Sequence, residues 1–231
     1  MSTNKEVQTE AAVRDALAAQ KRVVVPISDL ENERIIPSKL QSLNTLRPGA
    51  YGILEPITKE EVRTIQISKA RLKPGQTVYD IGCGSGSISI EAGLQVESSG
   101  KVLAIDHDEN AIELTKKNIQ KFGLSNISVM FGDAKEKIKD LEPADVIIIG
   151  GTGGDTRDIV ELSENKLKSG GRIVIGIILI ETLYAVLQIL DKLQFESIDI
   201  TQVTISKSRK TSTGTMMLAR NPVTIISATR V

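Results

Sequence analysis

Residues 78–93 read VYDIGCGSGSISIEAG. Three glycines, Gly82, Gly84 and Gly86, stand at alternate positions between an apolar, strand-like run and a helix-like one. A turn without side chains bends sharply, tolerates positive φ and lets a ligand approach the peptide N–H groups. A helix starting behind it adds partial positive charge at its first turn. Such a turn holds a small molecule, and its spacing narrows which one. The dinucleotide fingerprint G-x-G-x-x-G needs its third glycine at position 87. Ser87 stands there, and the third glycine comes one residue early.

Other candidate ligand residues end later strand-like runs. Asp106, in VLAIDHDENA, is placed to accept hydrogen bonds from both ribose hydroxyls, which several nucleoside ligands require. His107 beside it either lines the same pocket or is an exposed histidine. Asp133, in VMFGDAKE, either touches the ligand or caps the helix after it. The run IIIGGTGGDTRDIV surrounds Thr152 with Gly150, Gly151, Gly153 and Gly154. That is a bare floor for a large flat substrate, or a flexible loop. Cys83 reads as a small filler rather than a nucleophile. With one cysteine and one histidine, an internal disulfide is excluded and a metal centre or a His-based triad is not expected.

These residues need a scaffold that brings strand ends together. Thr58-Lys59-Glu60-Glu61 has the capping-box form and predicts a helix to about Ala70, stopped by Lys73-Pro74-Gly75. Strands are then predicted over 77–81, 101–105, 127–131, 145–149 and 172–178. Helices are predicted over 87–95, 109–122, 134–139, 156–167 and 181–193. Short apolar strands alternating with helices imply a parallel sheet covered on both faces. The alternation ends with a long strand over 195–206 and another over 221–228, joined by residues 207–220 without a helix. Strands so joined pair antiparallel. The expectation is an α/β, Rossmann-like fold: a seven-stranded, mostly parallel sheet with an antiparallel last strand. Residues 1–45 read as an N-terminal appendage, a helix plus short strand or a partly disordered tail, ahead of a domain over 46–231.

Lys+Arg and Asp+Glu both number 29, so the balanced chain gives no reason to expect nucleic acid or membrane as partner. No apolar run reaches the roughly 18–20 residues of a membrane span, and the N-terminus has no signal core, so a cytoplasmic protein is expected.

The run DIGCGSG resembles motif I of class I methyltransferases, in which the turn cradles the methionine part of S-adenosylmethionine. The acid of Asp133 and the amide after it are similar to the adenine corner of those enzymes. The resemblance sharpens over about residues 47–229. EPITKEEVRTIQISKARLKPGQTVYDIGCGSGSISIEAG, AIDHDENAIE, IGGTGGDTRDIVE and SKSRKTSTGTMMLARNPVTI are similar to the decarboxylating C-15 methyltransferases of corrin biosynthesis. The GG-T-GG loop and the GTMM-x-x-RNPV ending are its most specific parts.

That resemblance implies methylation at C-15 of cobalt-precorrin-6B or precorrin-6B, with loss of carbon dioxide from the C-12 acetate. It implies that Thr58, Gly82, Cys83, Gly84, Ser85, Gly86, Asp106 and Ala134 form the cofactor site, to which the reading of the residues adds Asp133 and His107. It suggests Gly151, Thr152, Gly153 and Gly154 as substrate floor. Lys207, Arg209, Lys210 and Arg220 either hold acetate and propionate arms or form a solvated basic loop. A homotetramer and a separate C-5 methyltransferase as pathway partner are expected on the same ground. No residue is assigned to decarboxylation. Two other readings stand beside it: an RNA (tRNA adenine) methyltransferase, and a SAM-binding regulator without catalysis. An NAD dehydrogenase is disfavoured by Ser87 and the antiparallel ending.

Overall fold

The computed structural model describes residues 60–231 apart from positions 153 and 194. The expected appendage over 1–45 and the cap at Thr58 lie outside the described residues. Helix α1 spans Glu60–Ala70, and β1 (Thr77–Ile81) leads through the glycine turn into α2 (Ser87–Val96). Then come β2 (Lys101–Asp106), α3 (Glu109–Phe122) and β3 (Ile127–Phe131). A short helix α4 (Ala134–Lys137) continues as a 3-10 turn (Ile138–Asp140) before β4 (Ala144–Ile149). Next are α5 (Thr156–Glu164), β5 (Leu167–Ile177) and α6 (Ile180–Lys192). Strands β6 (Glu196–Val203), β7 (Ser206–Lys210), β8 (Thr215–Ala219) and β9 (Val223–Thr229) finish the chain.

Seven strands form one sheet in the order β3-β2-β1-β4-β5-β9-β6. The first five are mutually parallel, and β9 pairs antiparallel with both β5 and β6. Because β9 opposes both neighbours, β6 runs the same way as β5. The C-terminal ends of β1 to β6 therefore share one edge.

Strand alternation distributes the core. Val78, Val102, Val146, Ile148, Val174 and Ile225 face α1 and α2, meeting Val62, Ile67, Ile88 and Ile90. Tyr79, Ile81, Ile147, Ile149, Ile173 and Ile175 face the other layer, meeting Ile159, Val160, Val186 and Leu190. A sheet buried on both faces needs apolar side chains at every position, which explains the unbroken VIII and IVI runs. Each such side chain contributes about 1.5–3 kcal/mol on burial. Between α1 and α2, Arg63 and Glu91 form a buried ion pair. It fixes α1 against the helix that follows the glycine turn.

Three expectations change. Helix α5 stops at Glu164 rather than 167, because Leu167 already pairs with Ala144 as the start of β5. The register then shifts between Ala144 and Val146, and Gly170, at φ +73°, lies in the irregular stretch. The strand expected over 195–206 ends at Val203. Ile205 is buried and its carbonyl accepts from Arg220 N–H at 2.9 Å, so the chain leaves the sheet there. The stretch read as a plain connection is a separate two-stranded hairpin, with Ser206 opposite Ala219 and Lys210 opposite Thr215. Its turn closes through Thr211 N–H to the Gly214 carbonyl, 2.8 Å. The hairpin rises from the edge shared by the ends of β1 to β6. Its base is held to the first turn of α1, with Lys207 Nζ 2.8 Å from Glu60 and 2.9 Å from Glu61.

Candidate functional site

The turn after β1 is pinned before any ligand arrives. Gly82 and Cys83 donate their N–H groups to the Ile105 carbonyl, at 2.9 and 3.1 Å. Gly84 N–H donates to Asp106 Oδ2 at 2.8 Å. These three amides, which the glycines suggest would receive a ligand, are already spent on the fold. Gly82 has φ +74°, and a Cβ there would lie 2.3 Å from the Gly151 carbonyl oxygen. Only glycine lets the β1 turn and the β4 loop press backbone against backbone. Nothing lies within 4 Å of where a Gly84 side chain would be, so that position opens onto free space.

Asp106 is oriented from both sides: its second oxygen accepts from Asp108 N–H at 3.0 Å. Together with Gly82, His107, Asp133, Ala134, Gly151 and Thr152 it lines a cavity of about 230 Å³. His107 is exposed at the rim, its Nδ1 3.7 Å from Asp106. Asp133 is the expected helix cap and also lines the cavity. One of its oxygens accepts from Lys135 N–H at 2.7 Å and caps α4. The loop after β4 is held by a Thr152–Thr156 hydroxyl contact and by the Lys135–Asp155 ion pair of 3.0 Å. A wider hollow of about 540 Å³ lies between α4 and α5. It is lined by charged side chains, lacks the glycine turn, and shares only Asp133 with the site.

The remaining candidates lie elsewhere. Cys83 is buried with its thiol 3.7 Å from Thr115 Oγ1. Burial, helped by the Asp80 charge, pushes that thiol far above the usual range, so it is no nucleophile at neutral pH. Ser85 is buried behind the turn, and Gly86 starts α2. Arg209, Lys210 and Arg220 are on or beside the exposed hairpin, and Gly154 follows the lining residues. Thr58 and Gly153 are outside the described residues.

Asp80 is a further site residue, not among those singled out above. It is wholly buried under the turn, accepts a hydrogen bond from Ser89 Oγ, and its Oδ1 has no partner among the described residues. Burial raises its carboxyl to about 7 despite the Ser89 bond, and the Asp106 charge adds to the rise. The signal was an acid inside an otherwise apolar strand, two residues before the first glycine. Thr115 and Asn118 of α3 were also missed; they bond the Gly84 and Ser85 carbonyls at 2.9 Å each.

A glycine turn after β1, an acid ending β2, and a sheet finished by an inserted antiparallel strand define a class I methyltransferase fold. Comparison with known proteins narrows the class. The chain belongs to the precorrin methyltransferase family, whose domain model matches residues 50–230. A protein of Saccharolobus solfataricus named "Probable cobalt-precorrin-6B C(15)-methyltransferase (decarboxylating)" is 47% identical over 174 residues, 74% of this chain and 87% of that one. Among solved structures, a precorrin 8W decarboxylase of Methanobacterium thermoautotrophicum superposes with a TM-score of 0.67 at 35% identity, covering 73% of this chain and 89% of that one. A precorrin-6y C5,15-methyltransferase of Geobacter metallireducens gives 0.75 at 28% identity, covering 89% and 100%.

Proposed function

We propose that this chain uses S-adenosylmethionine to methylate C-15 of cobalt-precorrin-6B, with loss of carbon dioxide from the C-12 acetate, giving cobalt-precorrin-7. One observation carries the reading: in a chain of the precorrin family, the glycine turn, Asp106 and the Asp133–Ala134 corner converge on one acid-lined cavity.

The charge of that cavity fits the cofactor. Asp106, Asp133 and Asp155 surround it, Asp80 lies beneath, and Lys135 is already paired with Asp155. A diphosphate would meet carboxylates, whereas a sulfonium and an α-amino group would be attracted. Gly82 to Gly86 would hold the methionine part, Asp106 the ribose hydroxyls, and Asp133 with Ala134 the adenine. When bound, this cofactor supplies an electrophilic methyl group.

The chain's own contribution is placement. The turn cannot slide, because Ile105 and Asp106 hold its amides. The loop after β4, backed on Gly82, sets where an acceptor carbon lies. Orientation of this kind lowers a displacement barrier without a protein nucleophile, in keeping with the inert Cys83. The conjugated macrocycle itself can take up the electrons released when carbon dioxide leaves.

Mass spectrometry of a precorrin-6B incubation with SAM tests the proposal. Gain of one methyl with loss of carbon dioxide is expected. An unchanged tetrapyrrole despite SAM binding favours a non-catalytic regulator, and a salt-sensitive tRNA complex favours an RNA methyltransferase. The proposed working form is a cytoplasmic homotetramer beside a separate C-5 methyltransferase, and light scattering checks the tetramer. Among the described residues no helix is long and apolar enough to cross a membrane.

A further inference from the structure

Three large apolar residues in a row stand in solvent where β5 gives way to α6: Ile178, Leu179 and Ile180 are 58%, 60% and 80% exposed. Tyr184, one turn further along α6, is also exposed. The link is built against local rules. Leu179 occupies the cap position of α6, with extended backbone and no side-chain hydrogen bond to the helix. A Ser, Thr, Asp or Asn there would satisfy an N–H group that leucine leaves to water. A sequence that gives up a helix cap to display leucine and isoleucine is serving something other than stability.

The place of the run says what that is. Ile149 of β4 pairs with Ile175 of β5. That pairing ends there, and β5 runs on to Ile177, so Ile178 follows the strand next to the one that carries the glycine loop. The apolar run thus stands on the same ligand edge as the glycine loop, one strand further along the sheet from the cavity that Gly151 and Thr152 line. On its far side rises the hairpin with Arg209, Lys210 and Arg220, which make no ion pair among the described residues. Bare backbone, an apolar wall and a cationic fringe match a flat conjugated ring bordered by carboxylates.

We propose that Ile178, Leu179 and Ile180 form the wall on which the ring face of the corrin substrate lies, with Tyr184 at its outer end. The Tyr184 hydroxyl accepts from Gln188 Nε2 at 2.8 Å, leaving its own proton to donate to a carboxylate arm. The inference rests on the corrin reading above and adds the residues that set substrate fit.

The test separates the two. Cobyrinic acid, a stable corrin polycarboxylate, is titrated into the full chain and followed by absorbance, with SAM binding measured by calorimetry. Leu179→Ser supplies the missing cap, so its Tm should rise while corrin affinity falls about tenfold and SAM affinity holds. The double variant Leu179→Ser/Ile180→Ala should lose more corrin affinity. Unchanged corrin affinity in the double variant overturns the wall while leaving the proposed activity standing. Parallel loss of SAM affinity overturns it as well, by showing a structural role. A changed oligomer mass with intact corrin affinity does so by making the run a subunit contact. A wild-type chain that neither binds cobyrinic acid nor converts precorrin-6B removes the functional reading and the wall together.

Discussion

At the ends of β1 and β2 the backbone is held from every side, whereas at the ends of β5 and β6 side chains stand free. Over the first pair, Gly82, Cys83 and Gly84 spend their N–H groups on β2, and α3 bonds the Gly84 and Ser85 carbonyls. Over the second pair are an uncapped helix start, an exposed apolar run and a hairpin whose second strand is exposed throughout. On the proposed reading, the first region holds a ligand whose form never varies, and the second is completed by the substrate that docks on it. Rigidity is therefore concentrated where the methyl carrier is expected, and adaptability where the acceptor is.

The harshest way to break that contrast is Gly82→Ala. Its methyl would meet the Gly151 carbonyl oxygen at 2.3 Å and its φ of +74° is strained for alanine. Upwards of about 4 kcal/mol of stability should be lost, together with detectable SAM binding in calorimetry. A variant that melts like wild type and binds SAM would show that the pinning is unimportant.

Asp80→Asn sharpens the contrast from below the turn. An unfolded Asp80 titrates at its ordinary 3.8, and the folded one near 7. The native state therefore holds this proton more tightly. The associated stability is fully present below about pH 4 and lost as pH rises through about 7, amounting to roughly 4 kcal/mol by pH 8. Asparagine cannot ionise, so the variant should match wild type near pH 4 and exceed it near pH 8 in denaturant melts. Parallel profiles would reject this account of Asp80.

The smallest effect belongs to the adaptable side. Arg209→Ala with Lys210→Ala should weaken tetrapyrrole binding roughly 3- to 10-fold and leave SAM binding and Tm alone. Equal affinity in the double variant would return the hairpin to the status of a solvated basic loop.

The same contrast governs what could be read from residues alone. Strands buried on both faces announce themselves as apolar runs, and a backbone turn as glycines, so β1 to β4, the second half of β5 and the turn were legible almost to the residue. Asp80 was hidden by its surroundings, since an acid in an apolar strand looks like a defect until its burial is seen. The hairpin was illegible for the opposite reason. Neither SKSRK nor TMMLA alternates, because neither has a face to bury among the described residues. Ile178 reads as the end of the strand and Leu179 and Ile180 as the link to the helix, and only their exposure sets them apart.

Strand β9, made last among those described, is clasped between β5 and β6 and supplies the partner for both. A ribosome that has produced everything up to Pro222 has therefore made a protein with two raw sheet margins and an unattached β6. Premature termination anywhere before Val223 should yield a sticky, chaperone-dependent polypeptide rather than a slightly shortened enzyme.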